Sequence, residues 1–332
     1  MTTAEPLQTT GHRSVDGSRR GAGRDPVPWR LAALPATLDL PSAQAYCRQI
    51  AARHYENFTV ATALVPGKLR QHLANVYAFA RWSDDLADEA SSATDAALGL
   101  AAWRRGLEAC FAGRPDHPVY VALADTVGQA GIAIEPFSDL ISAFEEDQAF
   151  DAAGAVVRYS SRAALVGYCR RSAAPVGRIV LALEGCQAAH LVEMSDAICI
   201  GLQLVNFWQD VRRDRLAGRV YLPADDLERH RVEVAALDAR QAAQPVRELV
   251  RDEVAWARSF FDAGAPLERL APPTLRPAIG LFVAGGRAVA DAIERFGYDT
   301  LRTRPTVSRW KKLALASKAW WRMRTTADAR PA

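Results

Sequence analysis

From Pro41 onward the sequence follows a helical pattern almost without interruption, and this pattern restricts the fold more than any other feature. Ala and Leu dominate, alternating runs of β-branched residues are scarce, and Pro and Gly separate the helical segments. A length of 332 residues agrees with two ordinary domains or one large helical domain. We predict a single all-α domain, with a division near residues 217–242 as the alternative. The predicted helices span 41–55, 66–90, 95–112, 116–131, 135–149, 161–185, 189–215, 223–229, 243–264, 273–297 and 306–322.

The two ends of the chain differ from this helical part. Residues 1–35 are rich in Gly, Arg, Thr and Pro and lack the apolar segment of an export signal. We therefore predict a disordered tail over 1–38, an all-α domain over 39–300, and a basic, Trp-containing helix and tail over 301–332. No run approaches the roughly 18 apolar residues of a transmembrane helix. The most apolar stretch, 197–205, suits a helix buried in a protein core.

Composition excludes several classes of protein. The net charge of +3 is too small to make the whole chain a nucleic-acid binder by charge alone. The five cysteines form no CxxC pair and indicate reduced, mostly buried thiols in a cytoplasmic protein. A phosphate-binding loop and a strand–GxGxxG–helix unit are both missing, so we expect no built-in NADPH-dependent reductase.

An acidic stripe marks the helix predicted over 66–90. Residues three and four apart share one face of a helix, so Tyr77, Arg81, Asp84 and Asp88 line up there, with Asp85 beside them. A single DxxxD pattern on a helix is usually a solvated surface. Arg81 can pair with one of these carboxylates or contact a phosphate.

A second acidic stripe follows the apolar run 197–205. Asn206, Asp210 and Asp214 are spaced by four residues, and Gln203 extends the stripe by one turn. Because the stripe emerges from an apolar run, we expect its first members to be at least partly buried. Carboxylates packed together repel one another unless cations hold them. Two such stripes on separate helices therefore predict a diphosphate held between them by Mg²⁺.

Two further segments fit an anion site. Arg219 and Tyr221 follow the second stripe closely and could supply a cation and a phenol, although Arg219 could equally be an ordinary surface arginine. Tyr168 lies in a helical pattern interrupted by Pro175 and Gly177, which indicates a kink or a close helix contact beside a cavity. Ordinary core packing is the alternative for Tyr168.

The C-terminal stretch 302–324 carries basic residues and no acid. Interleaved tryptophans suit contact with a membrane surface and a lipid substrate, whereas a solvated basic helix and an RNA contact are the alternatives. Peripheral contact with the inner face of the membrane is thus one interpretation. The residues concerned are Arg302, Arg304, Arg309, Lys311, Lys312, Lys318, Arg322 and Arg324, with Trp310, Trp320 and Trp321.

Three motifs, in this order, make the chain resemble the squalene and phytoene synthase family over roughly residues 41–315. They are YAFARWSDDLADE (77–89), YCRRSAAPVGRIVLALEG (168–185) and NFWQDVRRDRLAGRVYLP (206–223). The resemblance implies a single-domain isoprenoid-synthase-type helical bundle around a central cavity, and implies that Arg81 contacts the diphosphate. It assigns Mg²⁺ and diphosphate binding to Asp84, Asp85, Asp88, Asn206, Asp210 and Asp214.

At two places the chain departs from the condensing members of the family and resembles the hydroxysqualene synthase branch of bacterial hopanoid pathways. The HYENF segment (54–58) replaces a serine-rich segment, and Gln209 replaces the usual Arg before Asp210. The resemblance then implies conversion of presqualene diphosphate and water to hydroxysqualene and diphosphate. A condensing enzyme, a non-catalytic helical scaffold and an RNA-binding protein are the alternatives, and other squalene-pathway enzymes are candidate partners.

This interpretation assigns a role to each candidate residue. Tyr55, Glu56 or Asn57 would position the capturing water, while the rings of Phe58, Tyr168 and Phe207 would stabilise the carbocation. Residues expected to take part in catalysis are Asp84, Asp88, Asp210, Arg81 and Tyr168. Residues expected to bind the prenyl diphosphate are Tyr55, Asn57, Phe58, Tyr77, Gln203, Phe207, Arg219 and Tyr221.

Overall fold

The computed structural model describes residues 34–35, 37–53, 67–308, 314 and 317. The predictions for the tail before residue 34, for the HYENF segment and for most of the C-terminal basic stretch lie outside these residues. The helices are α1 Leu40–Arg53, α2 Gly67–Asp88, α3 Ala93–Phe111, α4 Pro118–Ala130, α5 Glu135–Ala152, α6 Arg162–Ser172, α7 Ala174–Leu183, α8 Ala189–Leu216, α9 Ala224–Arg229, α10 Gln244–Gly264, α11 Leu267–Leu270 and α12 Arg276–Arg295.

The all-α class is confirmed, and most predicted helices are found within a few residues of their expected bounds. In the described ranges, the β pairing is a single isolated bridge between Val157 and Val220. The predicted helix 161–185 is wrong in one respect, because it breaks at Ala173 into α6 and α7. Pro175 stands in the first turn of α7, where its missing N–H costs nothing.

Three local features were not foreseen. A short 3₁₀ helix at Val234–Asp238 and the single turn α11 lie where no helix was predicted. The helix predicted from residue 306 does not begin there, because residues 304–308 are irregular. Pro305 in that stretch is buried, and its carbonyl accepts a hydrogen bond from Gln209 on α8.

Local sequence explains where several helices begin and end. The Ser92 hydroxyl accepts the Asp95 N–H at the start of α3, as an N-cap should. Nδ1 of His117 accepts the Val119 N–H at the start of α4, and Gly131 ends that helix in the left-handed region at φ +59°.

Two hydrophobic clusters fill the molecule. The first lies among α1 to α5 and contains the stacked rings of Trp82 and Trp103, 5.5 Å apart. The second surrounds α8, α10 and α12. Helix α7 packs against α2, α5 and α8, and it contributes Ile179 to the first cluster and Leu181 to the second. It therefore joins the two halves.

Glycines allow α8, α10 and α12 to approach one another around the buried ring of Phe261. A Cβ at Gly201 would lie 3.0 Å from this ring, and one at Gly286 would lie 2.6 Å from its Cε1. A Cβ at Gly264 would lie 2.7 Å from the carbonyl oxygen of Met194. Only glycine fits these three positions with the present neighbours.

Helix α8 is, among the described helices, the one long and apolar enough to cross a membrane by length and composition. However, 56% of its most apolar window is buried inside the molecule. This agrees with the expectation of a core helix for residues 197–205.

Candidate active site

The first acidic stripe lies at the C-terminal end of α2 and is held together by Arg81. The Arg81 guanidinium contacts Asp84, with Nη1 2.8 Å from Oδ2, and it also pairs with Asp85. The Asp84 side chain is 37% exposed and Asp88 is exposed, whereas Asp85 is fully buried. Tyr77, one turn earlier, is half-buried. Of the predicted carboxylates, Asp84 and Asp88 thus face outward, and Arg81 is already bound to carboxylates.

The buried position of Asp85 raises its pKa to about 7, chiefly through desolvation, against the opposing effect of Arg81. Its carboxylate lies behind Arg81, inside the molecule. This placement suits a residue that orients Arg81, and its predicted role as a metal ligand stays a prediction.

The second acidic stripe lies on the C-terminal half of α8. Gln203 is half-buried, but Asn206 is exposed, so the expectation that the first members are buried is wrong for Asn206. The reason is helical geometry, because Leu204, Val205 and Phe207 turn into the core while Asn206 turns away.

Asp210 has a partner that the sequence did not indicate. Arg304 makes a bidentate pair with this carboxylate, with Nη2 2.8 Å from Oδ2, and leaves only 15% of the side chain exposed. The next residue along the chain, Pro305, accepts the hydrogen bond from buried Gln209. The segment around residues 304–305 therefore lies directly against the stripe.

Asp214 has a strongly perturbed pKa. Burial, with the negative charge of Asp210 acting in the same direction, raises this pKa to about 7. A bound cation would relieve this repulsion, and carboxylate and amide oxygens are the ligands that Mg²⁺ prefers. In the part of the chain that the structure describes, no three His, Cys, Asp or Glu side chains converge on one point.

An aromatic cluster lies next to the second stripe. The rings of Phe207 and Tyr221 stack with centroids 3.9 Å apart. Tyr168 lies 6.4 Å from each of them and 5.3 Å from Tyr159. A small pocket is lined by Phe207, Tyr221, Asp214 and Arg219, among others. The structure thus brings Tyr168, Phe207, Arg219 and Tyr221 close together, and their roles stay a prediction.

A third group of acids, on α5, escaped the sequence analysis. The Tyr168 hydroxyl donates to Asp147, with Oη 2.7 Å from Oδ2. Arg219, expected to meet a substrate anion, instead contacts Asp151, with Nη2 2.6 Å from Oδ2, and Arg158 pairs with the same carboxylate. The spacing of Asp147 and Asp151 by four residues was the available signal.

The two predicted stripes belong to different parts of the core. Asp84 and Asp88 end a helix of the first cluster, whereas Asp210 and Asp214 lie on a helix of the second. Helix α7 contacts both of these helices. The predicted water-positioning residues Tyr55, Glu56 and Asn57, and the predicted aromatic wall residue Phe58, lie outside the described residues.

Comparison with known proteins shows which proteins this chain is similar to. A phytoene synthase of Arthrospira platensis is 32% identical over 291 residues, covering 84% of this chain and 92% of that protein. The crystal structure of squalene synthase HpnC from Alicyclobacillus acidocaldarius is 39% identical, with a TM-score of 0.74, and the match covers 79% of this chain and 97% of that one.

A dehydrosqualene synthase solved with a ligand has the same fold, with a TM-score of 0.75 at 24% identity over 86% of this chain and 98% of that one. The family model of squalene/phytoene synthases matches residues 51–311, which include both acidic stripes and the aromatic cluster. This chain therefore belongs to the squalene/phytoene synthase family.

Proposed function

We propose that this chain converts presqualene diphosphate and water into hydroxysqualene and diphosphate, with Mg²⁺ and without NADPH. The observation that carries the proposal is the position of Gln209. Its side chain is buried and donates to the Pro305 carbonyl, so the residue before Asp210 offers no cation to a second diphosphate. A substrate with one diphosphate group suits such a site better than the two prenyl diphosphates that a condensing enzyme must hold.

The names of the relatives favour a second candidate. The curated relatives at 28–32% identity are named phytoene synthases, whereas the solved relative at 39% is named a squalene synthase. Head-to-head condensation of farnesyl or geranylgeranyl diphosphate is therefore the alternative. A non-catalytic scaffold is a third interpretation, which the preserved carboxylate stripes oppose.

Each group of residues has a distinct part in the proposed reaction. Bound Mg²⁺, held by Asp84 and Asp88 on α2 and by Asn206, Asp210 and Asp214 on α8, would neutralise the leaving diphosphate. Arg81 lies beside Asp84 on α2. Its guanidinium can exchange a carboxylate for a phosphate group, because each of these groups can accept two hydrogen bonds from an arginine.

The aromatic cluster suits the cationic stage that follows ionisation. The faces of Tyr168, Phe207 and Tyr221 can stabilise a carbocation by about 0.5–2 kcal/mol each. All three side chains are less than a tenth exposed, so bulk water is kept away until one molecule is admitted.

Product analysis tests this proposal. Purified protein with Mg²⁺ and no NADPH is incubated separately with presqualene, farnesyl and geranylgeranyl diphosphates, and products are identified by mass spectrometry. Hydroxysqualene from presqualene diphosphate alone supports the proposal. Condensation of either prenyl diphosphate would replace it with the alternative, and no reaction with any of the three would favour the scaffold.

Variants separate the metal-binding role from a structural one. Asp84→Asn and Asp210→Asn should each lower turnover at least about 100-fold while the helical circular dichroism spectrum is unchanged. Asp262→Asn is the matched control, because Asp262 is an exposed acid of α10 that pairs only with surface Arg287 in the described structure. Full activity in the Asp84 or Asp210 variant would contradict the metal assignment.

We also propose that the basic stretch 302–324 contacts an anionic membrane surface, where a lipid substrate would be taken up. The exposed side chain of Arg302 agrees with this proposal, and most of the stretch lies outside the described residues. Sedimentation with vesicles of anionic lipid tests it, and equal binding to neutral vesicles would oppose it.

A further inference from the structure

Asp147 and Asp151 lie one turn apart on α5 but have opposite surroundings. Asp151 is neutralised twice, by Arg158 and by Arg219. The carboxylate of Asp147 accepts one hydrogen bond within the described part of the chain, from the hydroxyl of Tyr168. Its other oxygen, Oδ1, is buried and has no hydrogen-bond partner there.

The nearby arginines do not pair with the Asp147 carboxylate. Arg158 donates to the main-chain carbonyl of Asp147, with Nη1 3.1 Å from the oxygen. Its Nη2 forms an ion pair with the carboxylate of Asp151. Burial raises the pKa of Asp147 in spite of both arginines. A carboxylate with one buried, unpartnered oxygen and no paired cation is costly, so its position beside the aromatic cluster calls for a function.

Tyr168 connects this carboxylate with the proposed reaction space. Its ring belongs to the cluster with Phe207 and Tyr221, and its hydroxyl points at Asp147. A water molecule that captures a carbocation beside these rings must lose a proton. The phenol is the polar group of the cluster that is already joined to a proton acceptor.

We infer that Asp147 positions Tyr168 and takes up the proton that the capturing water loses. The Tyr168 hydroxyl passes this proton on. This inference rests on the proposed function. As the water oxygen gives an electron pair to the carbocation, one of its O–H bonds breaks and that proton passes to Tyr168 Oη. The proton of Tyr168 moves at the same time to Asp147 Oδ2. The products are the alcohol, a neutral Asp147 and the diphosphate released earlier, and Asp147 then returns its proton to solvent.

The ratio of diphosphate released to hydroxysqualene formed tests this role. The native protein should give about one diphosphate per alcohol. Asp147→Asn keeps an oxygen that accepts from Tyr168 but cannot take the proton. We expect it to form hydroxysqualene at least about 100-fold more slowly, with the ratio raised several-fold because the cation lasts long enough to give other products.

Four further variants make the test specific. Tyr168→Phe should raise the ratio as Asp147→Asn does, and the double variant should be no worse than either, because both changes break one relay. Asp147→Glu should restore part of the alcohol. Glu145→Gln is the matched control, since Glu145 lies on the same helix but pairs with Arg104, and it should keep the native ratio.

The outcomes are distinguishable. If the native protein makes hydroxysqualene and Asp147→Asn keeps a ratio near one, the relay is wrong and the proposed function stands. A native protein that makes no alcohol from presqualene diphosphate overturns both. Circular dichroism and a thermal melt of each variant show whether a lost product reflects a lost fold. If Asp147→Asn does not fold, the ratio measured for Tyr168→Phe decides whether the relay is right.

Discussion

At the scale of single residues, several acids of the described chain lie out of contact with solvent. Asp85, Asp226 and Glu253 are fully buried, and each lies close to an arginine. Arg162 reaches Asp226 and Glu253 together, with Nε 2.9 Å and Nη2 3.1 Å from the respective carboxylate oxygens. Arg229 pairs with Asp226 as well, whereas Glu253 is paired, in the described chain, with the arginine that it shares. Glu253 is therefore the less well neutralised of the two buried carboxylates.

This cluster predicts a pH dependence of stability. Burial, with a hydrogen bond to Asp226, raises the pKa of Glu253 to about 8 from 4.5. The folded chain then keeps a proton that the unfolded chain releases above pH 4.5, so stability falls as the pH rises towards 8. Glu253→Gln should remove most of this pH dependence. Between pH 5 and 8, its unfolding free energy should fall by about 1–3 kcal/mol less than that of the native protein.

Urea denaturation at several pH values measures this effect. Glu248→Gln is the control, because Glu248 is a half-buried acid of the same helix whose carboxylate accepts from exposed Gln244. An unchanged slope in Glu253→Gln would show that Glu253 is ionised in the folded chain.

The pairing of Arg304 with Asp210 predicts a competition with metal. If Mg²⁺ binds Asp210, it must displace the guanidinium or share the carboxylate with it. Arg304→Gln should therefore tighten Mn²⁺ binding in the absence of substrate by about tenfold, or 1.4 kcal/mol, as measured by electron paramagnetic resonance of the free ion. Arg302→Gln, which changes an exposed neighbour, should not. Weaker binding in Arg304→Gln would place the metal elsewhere.

The sequence predicted those site residues that lie on one helix face. The spacing of Asp84 with Asp88, and of Asp210 with Asp214, is visible in one dimension because helical periodicity is local. Arg304 and Asp147 could not be predicted in the same way. Arg304 meets Asp210 across 94 residues, and Asp147 meets Tyr168 across 21.

At the scale of elements, α7 links the helices that carry the two acidic stripes. It is ten residues long and touches both acidic helices. Gly177 makes this approach feasible, because a Cβ there would lie 2.8 Å from the Cys199 sulfur and closer still to the Ser195 hydroxyl on α8.

Replacement of this glycine should push α7 away from α8. We expect Gly177→Ala to cost about 1–3 kcal/mol of stability, measured by chemical denaturation, and the double variant with Ser195→Ala to recover part of it. Gly167→Ala is the control on α6, where the nearest atom would be 4.0 Å away. It should be neutral or more stable by up to about 1 kcal/mol. Equal losses at both positions would show that the close contact at Gly177 is not the cause of the loss.

The helix bounds were predictable because caps and breakers are local, as Ser92 and Gly131 illustrate. The break at Ala173 was foreseen only as a kink. Pro175 allowed either a bend or a new helix, and the structure has a new helix with Pro175 in its first turn.

At the scale of the whole molecule, the two hydrophobic clusters explain why the cysteines are unpaired. Cys47, Cys110 and Cys169 are buried, and Cys199 lies under Gly177. Burial raises the pKa of the Cys47, Cys169 and Cys199 thiols to about 12.

We therefore predict that a disulfide reagent at pH 8 reacts quickly with one thiol of the folded protein, Cys186, which is half-buried at the end of α7. All five thiols should react after denaturation. Cys186→Ser should abolish the fast phase, and persistence of that phase would show that one of the clusters opens readily.

The two glycines that meet the Phe261 ring, Gly201 and Gly286, also restrict how this protein can change over evolutionary time. A substitution at Gly201 or Gly286 alone meets the ring, and a smaller residue at 261 alone leaves a void between three helices. Each single substitution lowers the stability of the protein and thereby its fitness, whereas the combined substitutions can preserve the stability. Positions 201, 261 and 286 should therefore covary among descendants of this sequence, and an ancestor with alanine at 286 should carry a smaller side chain at 261.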